Sequence, residues 1–209
     1  MNILVFGASG RTGRELVKQG LAQGQTVTAF VRHPASFDLA HPQLKVVQGD
    51  AADRASVESA VKDQDAVICA LGAANLFKRD QAVVVGVHNI IMAMEEAGVR
   101  RLIYLSADTV RDSRNELNAL RKVFVPLLFH NSAADHEINE RMIEQSHLEW
   151  IIVRPPMLTN GARTSAYRSG EHLRAGAIIP QFSRADLAEF MLKQLADDTF
   201  LDKAAEVMY

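Results

Sequence analysis

The 209 residues carry 23 Lys and Arg against 25 Asp and Glu, a formal net charge of -2 that gives no basis for nucleic acid or an anionic membrane as a main partner. Hydrophobic residues make up 48%, enough to fill one substantial core, and a single cysteine, Cys69, excludes an intramolecular disulfide. No charged leader precedes the first apolar stretch and no apolar run approaches the roughly 18 residues of a membrane span, so the expectation is a cytoplasmic, monomeric, one-domain chain over 1–209 without a metal site.

Residues 2–6 (NILVF) read as a buried strand, and Leu16, Val17, Leu21 and Ala22 then recur at helical spacing. Between them lies Gly7-Ala8-Ser9-Gly10-Arg11-Thr12-Gly13, a G-x-x-G-x-x-G variant of the dinucleotide fingerprint. The glycines permit a tight turn, let backbone approach a pyrophosphate and let helix and strand pack closely. The free N–H groups and positive dipole end of the helix attract phosphate. Gly7, Ser9, Gly10, Arg11, Thr12 and Gly13 are therefore expected to hold a nucleotide cofactor.

Residues 25–31 form a second strand, with Gly20 and Gly24 bracketing the end of the helix before it. Arg32 follows at once, where an NAD site places an acid for the ribose 2′-OH; an arginine suits a 2′-phosphate, with Arg11 as the other jaw of a cationic clamp. The expected cofactor is NADPH, the alternative being that Arg32 is a solvated loop charge. A third strand over 44–48 ends at Gly49-Asp50-Ala51. Asp50 has two readings: an acceptor for an adenine amino group, or the start of a turn or cap before the helix near Asp53.

A fourth strand over 65–70 ends in Leu71-Gly72-Ala73, small enough to admit a ribose or nicotinamide, and Cys69 on it reads as a buried thiol. A helix over 81–98 is announced by Val84, Val87, Ile90, Ile91 and Met94 and ended by glycine; His88 and Asn89 on it read as packing or polar-face residues. The fifth strand, 101–107, brings Ser106 to its carboxyl end, where open parallel sheets bind substrate; a serine there can equally cap backbone groups.

Residues 112–131 break the rhythm, and Pro126 should kink any helix there, so the stretch is expected to be a helical insertion over the crevice. A helix over 132–146 is expected to start at a Ser132 cap and turn Ile138, Met142 and Ile143 inward. A sixth strand, 149–154, leads through Pro155-Pro156 into irregular chain as far as Pro180, forming a small substrate-side lobe over about 157–182. Ser183 opens a last helix, and Glu206-Val207-Met208 is expected to add an edge strand. The fold class is α/β, a Rossmann-type doubly wound parallel sheet with helices on both faces.

GASGRTG, Val31-Arg32, Gly49-Asp50, Leu71-Gly72, Leu105-Ser106-Ala107 and Val153-Arg154-Pro155-Pro156 together resemble the atypical short-chain dehydrogenase/reductase group, most of all its NADPH-dependent biliverdin-IXβ/flavin reductases, with NmrA-like proteins next. The likeness runs over nearly the whole chain. It implies Gly7, Ser9, Gly10, Arg11, Thr12, Gly13, Arg32, Asp50, Ala51, Leu71, Gly72 and Pro155 as NADPH contacts, and Ser106 and His136 as the catalytic pair. His136 sits on the helix after the fifth strand, resembling the family's helix histidine; the plain alternative is a surface histidine between Asp135 and Glu137.

Two departures qualify the likeness. No lysine lies between Val123 and Leu192, and neither Tyr104 nor Tyr167 has one four residues on, so the Tyr-x-x-x-Lys pair of alcohol dehydrogenases and sugar epimerases is missing. Met157 stands where these reductases tend to carry a histidine. The expected activity is hydride transfer from NADPH to a flat conjugated acceptor, a flavin, a linear tetrapyrrole or a quinone, whose reduced anion needs little acid catalysis. The competing expectation is a non-catalytic, NmrA-like sensor of dinucleotide.

Overall fold

The computed structural model describes residues 1–72, 80–110, 133–173 and 180–209. In chain order these form β1 (Asn2–Phe6), α1 (Arg11–Ala22), β2 (Thr26–Val31), β3 (Leu44–Gln48), α2 (Arg54–Val61), β4 (Ala66–Cys69), α3 (Gln81–Ala97), β5 (Arg101–Leu105), α4 (133–144), β6 (Glu149–Arg154), β7 (Met157–Thr159), β8 (Arg168–Gly170), β9 (Gln181–Ser183), α5 (Arg184–Lys193) and β10 (Lys203–Met208). The main sheet runs β3-β2-β1-β4-β5-β6-β10-β8, parallel except for the β10–β8 pair, and β7 pairs with β9 apart from it. Its first six strands have the order of a Rossmann sheet, which reverses beside β1 and opens a crevice at the strands' carboxyl ends.

Alternation along the strands builds two cores. Ile3 and Val5 of β1 face one side with Leu16, Val17, Leu187 and Phe190, while Leu4 and Phe6 face the other with Val57, Ile90, Met94 and Ile143. Thus α1 and α5 cover one face, and α2, α3 and α4 the other. Each such side chain contributes about 1.5–3 kcal/mol on burial. Gly20, expected near the end of α1, lies inside it. A Cβ there would stand 3.2 Å from Ile3 Cδ1 and 3.6 Å from Leu192 Cδ2, so its absence lets α1, sheet and α5 approach closely.

Three expectations are corrected. β10 is no edge strand: it pairs with β6 on one side and β8 on the other, because the chain around residue 169 returns to cover it. The chain from Thr159 to Pro180 is not irregular throughout, since Arg168–Gly170 forms β8. The buried face of α4 is largely polar: Asp135, Asn139 and Glu140 are buried with Ala133 and Ile143, whereas Ile138 and Met142 are only half-buried. The expected insertion over 112–131 and the Ser132 cap lie outside the described residues.

The chain at Thr164 and Ser165 is fastened to α5 through carboxylates. Asp186 accepts from the Thr164 and Ser165 amides (each 2.8 Å), the Thr164 and Ser183 hydroxyls (2.9 and 3.0 Å) and the Tyr209 phenol (2.6 Å). Burial raises its pKa, but these hydrogen bonds, Tyr209's foremost, outweigh it and hold the carboxyl below its usual value. Ser183 in turn caps α5 by accepting from the Asp186 amide at 2.9 Å.

Candidate active site

A cleft of about 460 Å³ opens at the carboxyl ends of β1, β2, β3, β4 and β5. Its floor is the first βα turn. Gly7 has φ +75, and a Cβ on it would lie 2.4 Å from the Ala70 carbonyl oxygen; one on Gly13 would lie 2.1 Å from the Gly7 oxygen. These two glycines let strand, turn and helix touch. Gly10 differs: it precedes α1 with φ -70 and ψ 165, and no side chain caps the helix there. The first-turn amides of α1 therefore stay available to an anion.

Gly7, Ser9, Gly10, Arg11, Thr12, Gly13, Arg32, Asp50, Ala51, Leu71 and Gly72 all line this cleft, together with Ser106 and His136. Pro155 does not line it; it is buried, and its carbonyl accepts from the Asp108 amide at 3.0 Å. The turn reading of Asp50 has a bond behind it, since its Oδ1 accepts from the Ala52 amide at 3.0 Å. Asp53, not Asp50, stands at the N-cap of α2. Ala51 is fixed from behind, where the buried Asn89 Nδ2 donates to its carbonyl at 2.9 Å.

The end of the cleft at the glycine turn is cationic. Arg11 and Arg32 are joined there by Arg184, which the sequence reading missed. Arg184 follows the Ser183 cap, but only the packing of α5 on α1 carries it to the glycine turn. Burial and the nearby charge of Arg11 both lower its pKa. Among the described residues none of these three arginines has a carboxylate within ion-pair range. Asp38, the first acid after β2, is engaged instead by Arg14. Uncapped helix amides, a turn that a Cβ would fill and three arginines fit a phosphorylated dinucleotide.

The other end is built from β5 and α4. The Ser106 hydroxyl donates to Glu140 Oε1 at 2.6 Å, and Arg154 donates to the same carboxylate through Nε at 3.0 Å and Nη2 at 2.7 Å. Glu140 is wholly buried. His136 Nδ1 lies 2.8 Å from the Tyr104 phenol, which accepts from Asn139 Nδ2 at 2.9 Å. Burial, only partly offset by the charge of Asp135, pulls the His136 imidazole down to about 4, so the ring is neutral at pH 7. Burial likewise drives the Tyr104 phenol well above its ordinary value and the Cys69 thiol up to about 12. The sequence reading missed Glu140, Asn139, Tyr104 and Arg154 as a group; the signal was the i, i+4 spacing of Asp135, Asn139 and His136, Glu140 on one helix.

Residues 7–198 match the model of a family described as NAD(P)H-binding. The chain belongs to the NAD(P)H-binding family. Among curated relatives, a 3 beta-hydroxysteroid dehydrogenase/Delta 5-->4-isomerase of Mycobacterium tuberculosis is 37% identical over 119 residues, 52% of this chain and 32% of that enzyme. The match thus spans about a third of the relative's length. Among solved structures, ChuY of Escherichia coli O157:H7, described as an anaerobillin reductase, superposes with TM-score 0.84 at 22% identity, over 100% of this chain and 97% of that one. A wide-type short-chain dehydrogenases/reductase of Veillonella parvula in complex with NADP has TM-score 0.77 at 21% identity, covering 100% and 94%. At these identities the likeness establishes the Rossmann-type fold. No helix among the described residues is long and apolar enough to cross a membrane.

Proposed function

We propose that this protein is an NADPH-dependent reductase that passes hydride to a flat conjugated acceptor such as a flavin or a linear tetrapyrrole. The observation that carries the reading is the tether of His136, whose Nδ1 lies 2.8 Å from a buried phenol, with desolvation favouring the neutral ring. A neutral imidazole is a hydrogen-bond donor and a poor acid, and no Tyr-x-x-x-Lys pair accompanies it. That suits acceptors whose reduced anions are stable and draw their proton from water. NADPH, when bound, supplies the hydride. Arg32, with Arg11 and Arg184, would hold its phosphates, and the amides of Arg11, Thr12 and Gly13 the pyrophosphate. Ser106 and His136 would orient the acceptor against the nicotinamide. The structural likeness to ChuY, an anaerobillin reductase, supports a tetrapyrrole-like acceptor.

The test is reduction of FMN, biliverdin and menadione by NADPH, followed at 340 nm, in the wild type, Ser106→Ala and His136→Asn. Obligatory general acids contribute about 10²–10⁴-fold, so losses at or below about 100-fold are expected, with cofactor affinity nearly unchanged. A loss near the upper edge would indicate obligatory acid catalysis and a carbonyl-like substrate. Tight NADPH binding without turnover of any acceptor would favour a dinucleotide sensor.

A further inference from the structure

The buried polar face of α4 reaches the end of β5 in two places. His136 and Glu140 stand one turn apart, about 6 Å along the axis; the first bonds Tyr104 and the second Ser106. Both oxygens of Glu140 accept from Arg154, and a carboxylate so engaged can only accept. The single hydrogen of Ser106 is therefore committed to Glu140. What Ser106 has left for a ligand in the cleft is lone pairs.

His136 has the opposite polarity. The Tyr104 phenol accepts from Asn139 and has no third partner among the described residues, so its own hydrogen goes to His136 Nδ1. The imidazole hydrogen then sits on Nε2. One wall of the cleft thus carries an acceptor, Ser106, and a donor, His136.

We propose that Glu140 and Tyr104 are positioning residues that fix this polarity, so that the crevice selects acceptors in which an N–H adjoins a carbonyl, a lactam or cyclic imide, over quinones, which offer carbonyls alone. The proposal rests on the reductase reading and narrows its substrate class. A flavin ring carries an N–H between two carbonyls, and a linear tetrapyrrole ends in lactams. Each can give its N–H to Ser106 and take a hydrogen from His136. A quinone meets a donor at His136 but sets lone pair against lone pair at Ser106, and a site built for a hydrogen bond rejects the analogue that cannot complete it.

Glu140→Gln tests the polarity: with the amide oxygen kept on Arg154 Nη2, the NH₂ takes the place of Oε1 and donates to Ser106, turning that hydroxyl outward as a donor at the cost of the Arg154 Nε bond. With saturating NADPH, the ratio of kcat/KM for riboflavin to that for menadione is expected to fall at least about tenfold relative to wild type, with NADPH affinity by calorimetry unchanged. Should that variant not fold, Ser106→Ala, which deletes the acceptor, is expected to lower the same ratio. In ¹⁵N-histidine spectra at pH 7 the wild type is expected to show His136 as the Nε2–H tautomer and Tyr104→Phe a mixture. Equal loss of both acceptors, an unchanged ratio with weakened NADPH binding, or an Nδ1–H tautomer in the wild type would overturn the proposal. Turnover of neither acceptor by wild type would instead sink the reductase reading. The ratio would then be read as riboflavin against menadione binding to NADP⁺-loaded protein, with the same shift expected and the same parallel loss overturning it.

Discussion

Arg32 leaves β2 exposed, beside Gly49 and Asp50, whose positions are locked because the Gly49 amide donates to the Val31 carbonyl at 3.0 Å. A charge-assisted hydrogen bond contributes about 1.5–3 kcal/mol, so Arg32→Ala is expected to weaken NADPH binding roughly ten- to a hundredfold and NADH hardly at all. Equal weakening of both in calorimetric titrations would make the arginine structural. His136 supplies a second residue-scale test. Its folded pKa lies below the free value of 6.5, at about 4, so the stability that comes from keeping it neutral is present above about pH 6.5 and is lost as pH falls towards 4. His136→Asn should be less stable at pH 7, yet lose less between pH 7 and 4.5 than the wild type does. Urea midpoints at the two pH values measure the difference, the falling contribution of Asp186 being common to both proteins.

At the scale of one element, the turn into α1 separates two uses of glycine. Gly13 and Gly7 are crowded by backbone, whereas the nearest atom to a Cβ on Gly10 is the Gly7 oxygen at 3.2 Å, and Gly10 has an ordinary extended conformation. Gly10→Val is therefore expected to fold and to lose NADPH binding, because the new side chain stands at the mouth of the helix amides. Gly13→Val should lose the fold itself. A folded Gly10→Val that binds NADPH with wild-type affinity would show that the turn does not carry the phosphates. Circular dichroism beside calorimetry distinguishes these outcomes.

Over the whole molecule, Asp186 joins three distant pieces of chain: the Thr164-Ser165 turn, the start of α5 and the C-terminal Tyr209. Glu189, one turn further along α5, adds the Ser165 hydroxyl at 2.5 Å and Lys193. Removing a buried carboxylate from such a network leaves its neutral donors without an acceptor, at about 1–3 kcal/mol for each that stays unsatisfied. Asp186→Ala is expected to lower unfolding free energy by that order in urea. Since Arg184 sits two residues earlier and lines the cleft, NADPH affinity should fall too. A change below about 0.5 kcal/mol, the scale of ordinary surface substitutions, would show that the fastening is dispensable.

Local physics was enough for much of this. The Asn2–Phe6 strand, the glycine turn, β3, β6 and the N-cap of α5 follow from side-chain period, glycine spacing and a capping serine, all of which act within a few residues. The family and the glycine-turn end of the cleft were legible for the same reason: turn and helix N-terminus are contiguous in the chain. What lay beyond reach depends on chain segments meeting across the fold. Residues 203–208 are bracketed by β6 and β8 because residues 168–170 return to pair with them, a non-local event with no local signature. The inward face of α4 is polar because Tyr104, Ser106 and Arg154 lie beneath it to satisfy Asp135's neighbours Asn139 and Glu140; an apolar period had pointed to Ile138 and Met142 instead. Arg184 reaches the cleft through the packing of α5 on α1. Charge and hydrogen-bond polarity at Ser106 and His136 are properties of those buried partners, and only the tertiary structure decided them.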